Sequence, residues 1–144
     1  MLSRRSSTIA VIVAAAALLF VSDFASQAQS ASTREAFLVR QDQSDCTNTT
    51  VPANPPIISG TVALNRGNDG NTIVQVAMTV SPDTTYHFFL KCVRQLGDIR
   101  TDDEGTGFGS FTFPTSDAGS TYAFDMYPEG APAGNKFQSV TVKF

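Results

Sequence analysis

Period-two alternation of apolar and polar side chains constrains this chain more than any other feature. Ile58, Gly60, Val62 and Leu64 alternate with polar or small residues, and Val74, Val76, Met78 and Val80 alternate with Gln75, Ala77 and Thr79. Such spacing sets one face of an extended strand on a core and the other toward water. Between these runs, Asn65–Asn71 is rich in residues that tolerate positive φ, so the pair predicts a β-hairpin. Residues 97–101 and 107–113 flank Asp102-Asp103-Glu104-Gly105-Thr106, a second hairpin signal. Tyr122, Phe124 and Met126 alternate with small or polar neighbours, and so do Val140, Val142 and Phe144 beyond a Pro/Gly loop. Tyr86 to Val93 is apolar with little alternation, which predicts a central strand covered on both faces. Beyond residue 28 there is no sustained i, i+3, i+4, i+7 apolar stripe. The expected fold is all-β: a single antiparallel β-sandwich of about seven short strands.

The N-terminus reads differently. Arg4 and Arg5 precede an apolar run from Ile9 to Val21, and small residues follow, with Ser26-Gln27-Ala28 and Ala28-Gln29-Ser30 both readable as cleavage sites. This layout predicts a cleaved secretory signal peptide over 1–28. The run has 13 residues, against the roughly 20 that a spanning helix needs; an uncleaved anchor is the alternative. Residues 29–56 then form a polar N-terminal segment and loop, in which Ala36–Arg40 offers a first strand and Pro52, Pro55 and Pro56 block regular ladders. The sandwich domain covers 57–144. Asn48-Thr49-Thr50 is a glycosylation acceptor only in a eukaryotic secretory path.

At 144 residues and 42% hydrophobic, with eleven Phe, the chain holds one domain with a core and is not a disordered tail. Its net charge is −3, or −4 without residues 1–28, and this excludes the basic footprint of a nucleic-acid binder. No later segment approaches spanning length, so no stable membrane span is expected once the signal is removed. The expected location is secreted, periplasmic or on the cell surface.

Cys46 and Cys92 are the only cysteines. An even pair in an oxidising compartment predicts one disulfide, pinning the early loop to the strand holding Cys92. A redox pair would carry Cys-x-x-Cys spacing, which is lacking.

Val80-Ser81-Pro82-Asp83-Thr84-Thr85-Tyr86 resembles the corner before a late strand in fibronectin type III and related immunoglobulin-like domains. The resemblance implies that Tyr86 is a corner tyrosine whose hydroxyl ties back to upstream backbone, with Val80 its apolar partner and Pro82 setting the turn. Gly97–Phe113 resembles hairpins in small prealbumin-like sandwich modules of exported proteins. Together these stretches imply a module that binds or spaces other things, with no catalytic residue carried over. Several strands follow Tyr86 here, where a fibronectin type III domain has one.

The chemistry available is sparse. His87 is the sole histidine, so a His-rich zinc site is excluded and a Ser-His-Asp triad would rest on it alone, with Asp83, Asp98 or Asp125 to orient it. No Gly-x-Ser-x-Gly elbow is present, and an outward position beside Phe89 and Lys91 explains His87 without catalysis. Asp98, Asp102, Asp103 and Glu104 form the densest acidic cluster, the candidate for calcium, though the ordered calcium-loop pattern is missing. The acidic residues all fall in turns or at outward positions, where nothing raises a pKa, so paired carboxylates for glycoside hydrolysis are not expected. Phe88 and Phe89 are adjacent, and Phe108 is out of phase with Phe111 and Phe113, so some ring must face away from the core. A covered second face is expected to take these rings; an aromatic platform through Tyr122, Tyr127 or an exposed Phe is the sharper alternative, with no Trp to strengthen it.

The sequence therefore points to an exported, non-catalytic β-sandwich that acts as an extracellular or cell-surface interaction or structural module. The alternative is a small ligand- or calcium-binding module using the loops Asn65–Asn71 and Asp98–Gly107. An enzyme through His87 ranks last.

Overall fold

The computed structural model describes residues 32–41, 46, 57–131 and 135–144. The signal-peptide reading over 1–28, Asn48 and most of the early loop lie outside the described residues. What is described is all-β and antiparallel. The strands are β1 (Ser32–Arg40), β2 (Ile58–Arg66), β3 (Asn71–Thr79), β4 (Thr85–Leu90), β5 (Arg94–Arg100), β6 (Thr106–Pro114), β7 (Thr121–Tyr122), β8 (Phe124–Pro128), β9 (Phe137–Ser139) and β10 (Val142–Lys143). There are more strands than the alternation predicts because β7, β9 and β10 are only two or three residues long, too short for period two to register.

Eight strands form one sheet in the order β5-β4-β8-β9-β1-β2-β3-β6, and β7 pairs with β10 in a small second sheet. The β5–β6 turn joins the two outermost strands of the large sheet, so the sheet curls over a single core. Two glycine-bearing strands permit this close approach. The Phe111 ring occupies the space where a Cβ on Gly97 would stand, and Ile99 packs against the bare backbone of Gly107 and Gly109. Inside, Phe88 is fully buried between Phe111 and Phe124, with centroids 5.4 Å away on each side. At one end of the core, Arg34 and Arg66 each lie 5.6 Å from the centroid of the Phe144 ring.

The hairpin β2–β3 forms as the alternation predicts, with Val62 opposite Val76 and Leu64 opposite Val74, all inward. β4 departs from the prediction of a strand covered on both faces. It ends at Leu90, and its burial alternates, with Tyr86, Phe88 and Leu90 inward and His87 and Phe89 half-buried on the outer face. The apolar look of this segment comes from Phe89, which stacks on Tyr127 of β8 with centroids 4.9 Å apart.

Two clasps fix the ends. The disulfide joins Cys46 to Cys92, with Cα atoms 5.5 Å apart. Cys92 sits in the tight β4–β5 turn rather than within a strand, at φ 59°. Arg40 and Ile57 are paired through a 3.0 Å backbone hydrogen bond where β1 ends and β2 begins. At the opposite end of the β4–β5 pair, the buried Thr101 binds the β3–β4 connection. Its hydroxyl donates to the Ser81 carbonyl at 2.7 Å and accepts from the Thr84 N–H at 2.9 Å. Val80 N–H donates to the Gly105 carbonyl at 2.9 Å, which seats one turn on the other. Among the described residues, no helix is long and apolar enough to cross a membrane.

Candidate functional site

Tyr86 is tied to the backbone upstream of it and to the segment that follows β8. It is fully buried, its hydroxyl oxygen accepts from the Ser81 N–H at 3.3 Å, and the hydroxyl donates to Asn135 Oδ1 at 2.7 Å. Val80 packs at the edge of the core. This is a structural corner, with nothing free to react.

The acidic residues are dispersed. Asp98 lies on β5, where its carboxylate takes hydrogen bonds from the His87 imidazole and the Gln95 amide, both at 2.7 Å. Asp102 Oδ1 accepts from the backbone N–H groups of Glu104 and Thr106, at 3.0 and 2.7 Å, and so closes the β5–β6 turn. Asp103 and Glu104 are exposed at the same turn. Asp69 is held by the backbone and side-chain amides of Asn71, which keep its carboxyl below the usual aspartate range. Asn71 stands opposite Pro114 and Thr79 opposite Thr106, so the Asn65–Asn71 loop and the 102–105 turn lie at opposite ends of β3. One ligand site cannot use both. Among the described residues, no three His, Cys, Asp or Glu side chains gather closely enough to hold a metal ion.

Asp98, and not Asp83 or Asp125, is the partner of His87. Among the described residues no hydroxyl or thiol bonds the second ring nitrogen, and the pair is solvated, with side chains 31% and 52% exposed. The arrangement is a solvated hydrogen-bonded pair on an outer sheet face.

The outer face has two unlike halves. On β5-β4-β8-β9 it is polar, and partly buried. Lys91, expected beside His87 as an outward residue, is buried and donates to Gln138 Oε1 at 3.2 Å; Gln138 is buried too. Asp125 stands opposite both Phe89 and Gln138. Burial holds its carboxyl above the ordinary aspartate range, while Lys91 and Lys136 pull the other way. This corrects the expectation that no acidic residue has a raised pKa: the alternation places Asp125 outward, but outward here is not solvated. Burial, and then the Asp125 charge, also raises the Tyr127 hydroxyl.

On β1-β2-β3-β6 the outer face is largely exposed and nearly uncharged, with Phe37, Ile73 and Phe108 among small and polar side chains. Phe37 stands opposite Thr61, Thr61 opposite Ala77, and Ala77 opposite Phe108, one row across four strands. Phe108 is 74% exposed and Phe37 53%. Beside Phe108, Thr61, Ala63, Gln75 and Ala77 floor a shallow depression of about 470 Å³. The next row is Glu35, Ala63, Gln75 and Ser110. Among the described residues, nothing covers these rings as the sequence led one to expect. Tyr122 is fully buried in the core and serves no platform. Phe37 was legible only as part of a short strand; its phase against the inward Ala36 and Leu38 is the signal that marks it. No family model matches the chain, and neither does any curated protein.

Proposed function

We propose that this chain is an exported, non-catalytic interaction module that works by contact through the outer face of β1, β2, β3 and β6. The observation that carries the reading is the Phe37–Thr61–Ala77–Phe108 row, two solvent-facing rings at the ends of a row of small residues. Exposed aromatic surface costs free energy in water, and large apolar patches mark contact sites. The disulfide supports an oxidising location, where it persists and holds Cys46 at the β4–β5 turn. The His87–Asp98 pair supports no catalytic role, since it faces solvent with no nucleophile bonded to the ring.

The test places a photo-cross-linking residue at Ser110, beside Phe108, and another at Asp103, on the exposed turn, in chains produced by the source cells. A discrete adduct at 110 that is lost with Ala77→Arg and absent at 103 is expected. Equal labelling at both positions, or none at 110, would sink the contact reading. Repeating the reaction with chelator separates a calcium-dependent contact from a calcium-independent one.

A further inference from the structure

We infer that the partner of this face is a second copy of the chain, packed face to face about a two-fold axis that runs along β3; the inference rests on the contact reading above. The first argument is shape. β3 has β2 on one side and β6 on the other, and Ala77 stands between Thr61 and Phe108 in the same row. Rotation about an axis along β3 exchanges the positions of β2 and β6. It therefore carries the Phe108 ring of each copy over Thr61 of the other, into the depression floored by Thr61, Ala63 and Ala77. A knob and its hole on one face, equidistant from one line, are what an isologous pair requires.

The second argument is charge. The chain carries 23 Asp, Glu, Lys and Arg residues, yet Glu35 is the only one on the outward positions of these four strands where they pair with one another. A face that meets its own copy brings like charges together, and interface cores are depleted in charge and enriched in aromatic rings. Glu35 lies on β1, away from the axis, so the two copies of it are not forced together. The third argument is area. Strand spacing and rise give a face of roughly 20 by 25 Å, about 500 Å² in plan. That is below the roughly 800 Å² that each partner of a standard interface buries, the size of a weak pair. Aligned packing of two such sheets is a common geometry.

Sedimentation equilibrium of the purified, oxidised chain tests this, with samples up to about 0.5 mM, where even a weak pair assembles. A monomer–dimer equilibrium is expected in the wild-type chain. Ala77→Arg, on the axis, should leave a monomer throughout, and Phe108→Ser should weaken the dimer by at least about thirtyfold. Both variants should melt as the wild-type monomer does, which separates lost association from lost folding. A wild-type chain that stays monomeric overturns the inference, and so does a dimer that survives Ala77→Arg. If the Ser110 cross-link then joins another kind of molecule, the second copy falls alone and the contact reading stands; if it joins residues 1–31 of the same chain, both fall.

Discussion

The two halves of the outer sheet face obey one alternation rule and end in opposite states. On β1-β2-β3-β6, most outward residues meet water, the buried Val39 beside Gln138 excepted: Phe37 and Phe108 are exposed while Thr61 and Ala77 leave space between them. On β5-β4-β8-β9, outward residues are partly withdrawn from water: Lys91 and Gln138 are buried, and burial raises Asp125. The half that a sequence reader would expect to be solvated is the buried one. A strand's outward side is thus a geometric statement, and what it meets is decided elsewhere in the chain. The polar half also carries the disulfide, whereas the apolar half has no covalent tie among the described residues.

The largest effect should come from the covalent tie of the polar half. Replacing Cys46 and Cys92 together by Ala frees the loop that the bridge closes, of sequence separation 46, and should lower stability by about 4 kcal/mol. Chemical denaturation of the oxidised wild-type and the double variant measures it. A loss below about 1 kcal/mol would mean that the bridge holds nothing the strands do not already hold.

Thr101→Val comes next. It keeps the shape but leaves the Ser81 carbonyl and the Thr84 N–H without their hydroxyl partner. The expected loss is about 2 kcal/mol, the range for unsatisfied buried groups. A neutral outcome would show that the backbone bonds between the turns, from Val80 to Gly105, Asp83 to Asp102 and Thr101 to Thr84, suffice to hold them.

Asp125→Asn sharpens the contrast through its pH dependence. The folded chain keeps the Asp125 proton to higher pH than the unfolded chain, because burial outweighs the attraction of Lys91 and Lys136. Stability from this group is fully present below the ordinary aspartate pKa, and is lost as pH rises from there through the raised folded value. The variant should lack that decline. Melting curves of both chains should therefore lie closest at acid pH, where both side chains are uncharged, and separate toward neutral pH, with the wild-type falling relative to the variant. Parallel pH profiles would mean that Asp125 is as solvated as its outward phase implies.

The smallest effect on stability should follow Phe108→Ser, within about 0.5 kcal/mol, as for a surface substitution. Its ring is 74% exposed and has little packing to lose. A loss like that of a core ring, about 3 kcal/mol or more, would show that something covers Phe108 and would abolish the distinction between the halves.

How far the sequence reached differs by feature. The β2–β3 hairpin, the disulfide and the inward set on β3 were legible, since each depends on local backbone chemistry or on a pairing with no alternative; the second hairpin forms only its turn, because β5 pairs with β4 and β6 with β3. The acidic cluster was legible as composition but not as a site, because Asp98 turned to His87 and Asp102 to its own turn. Phe108 was visible as out of phase; that it meets water was not.

By itself, then, the sequence determined the strand period, the antiparallel all-β class and the single pairing open to two cysteines, all of which act over a few residues or admit one solution. Tertiary structure alone decided which strands became neighbours. That order puts Phe37, Thr61, Ala77 and Phe108, far apart in the chain, into one row, and takes Lys91 and Gln138 out of water. Registers between distant strands depend on loop closure and on how glycine backbones at 97, 107 and 109 let the sheet curl, and neither is encoded in any local window.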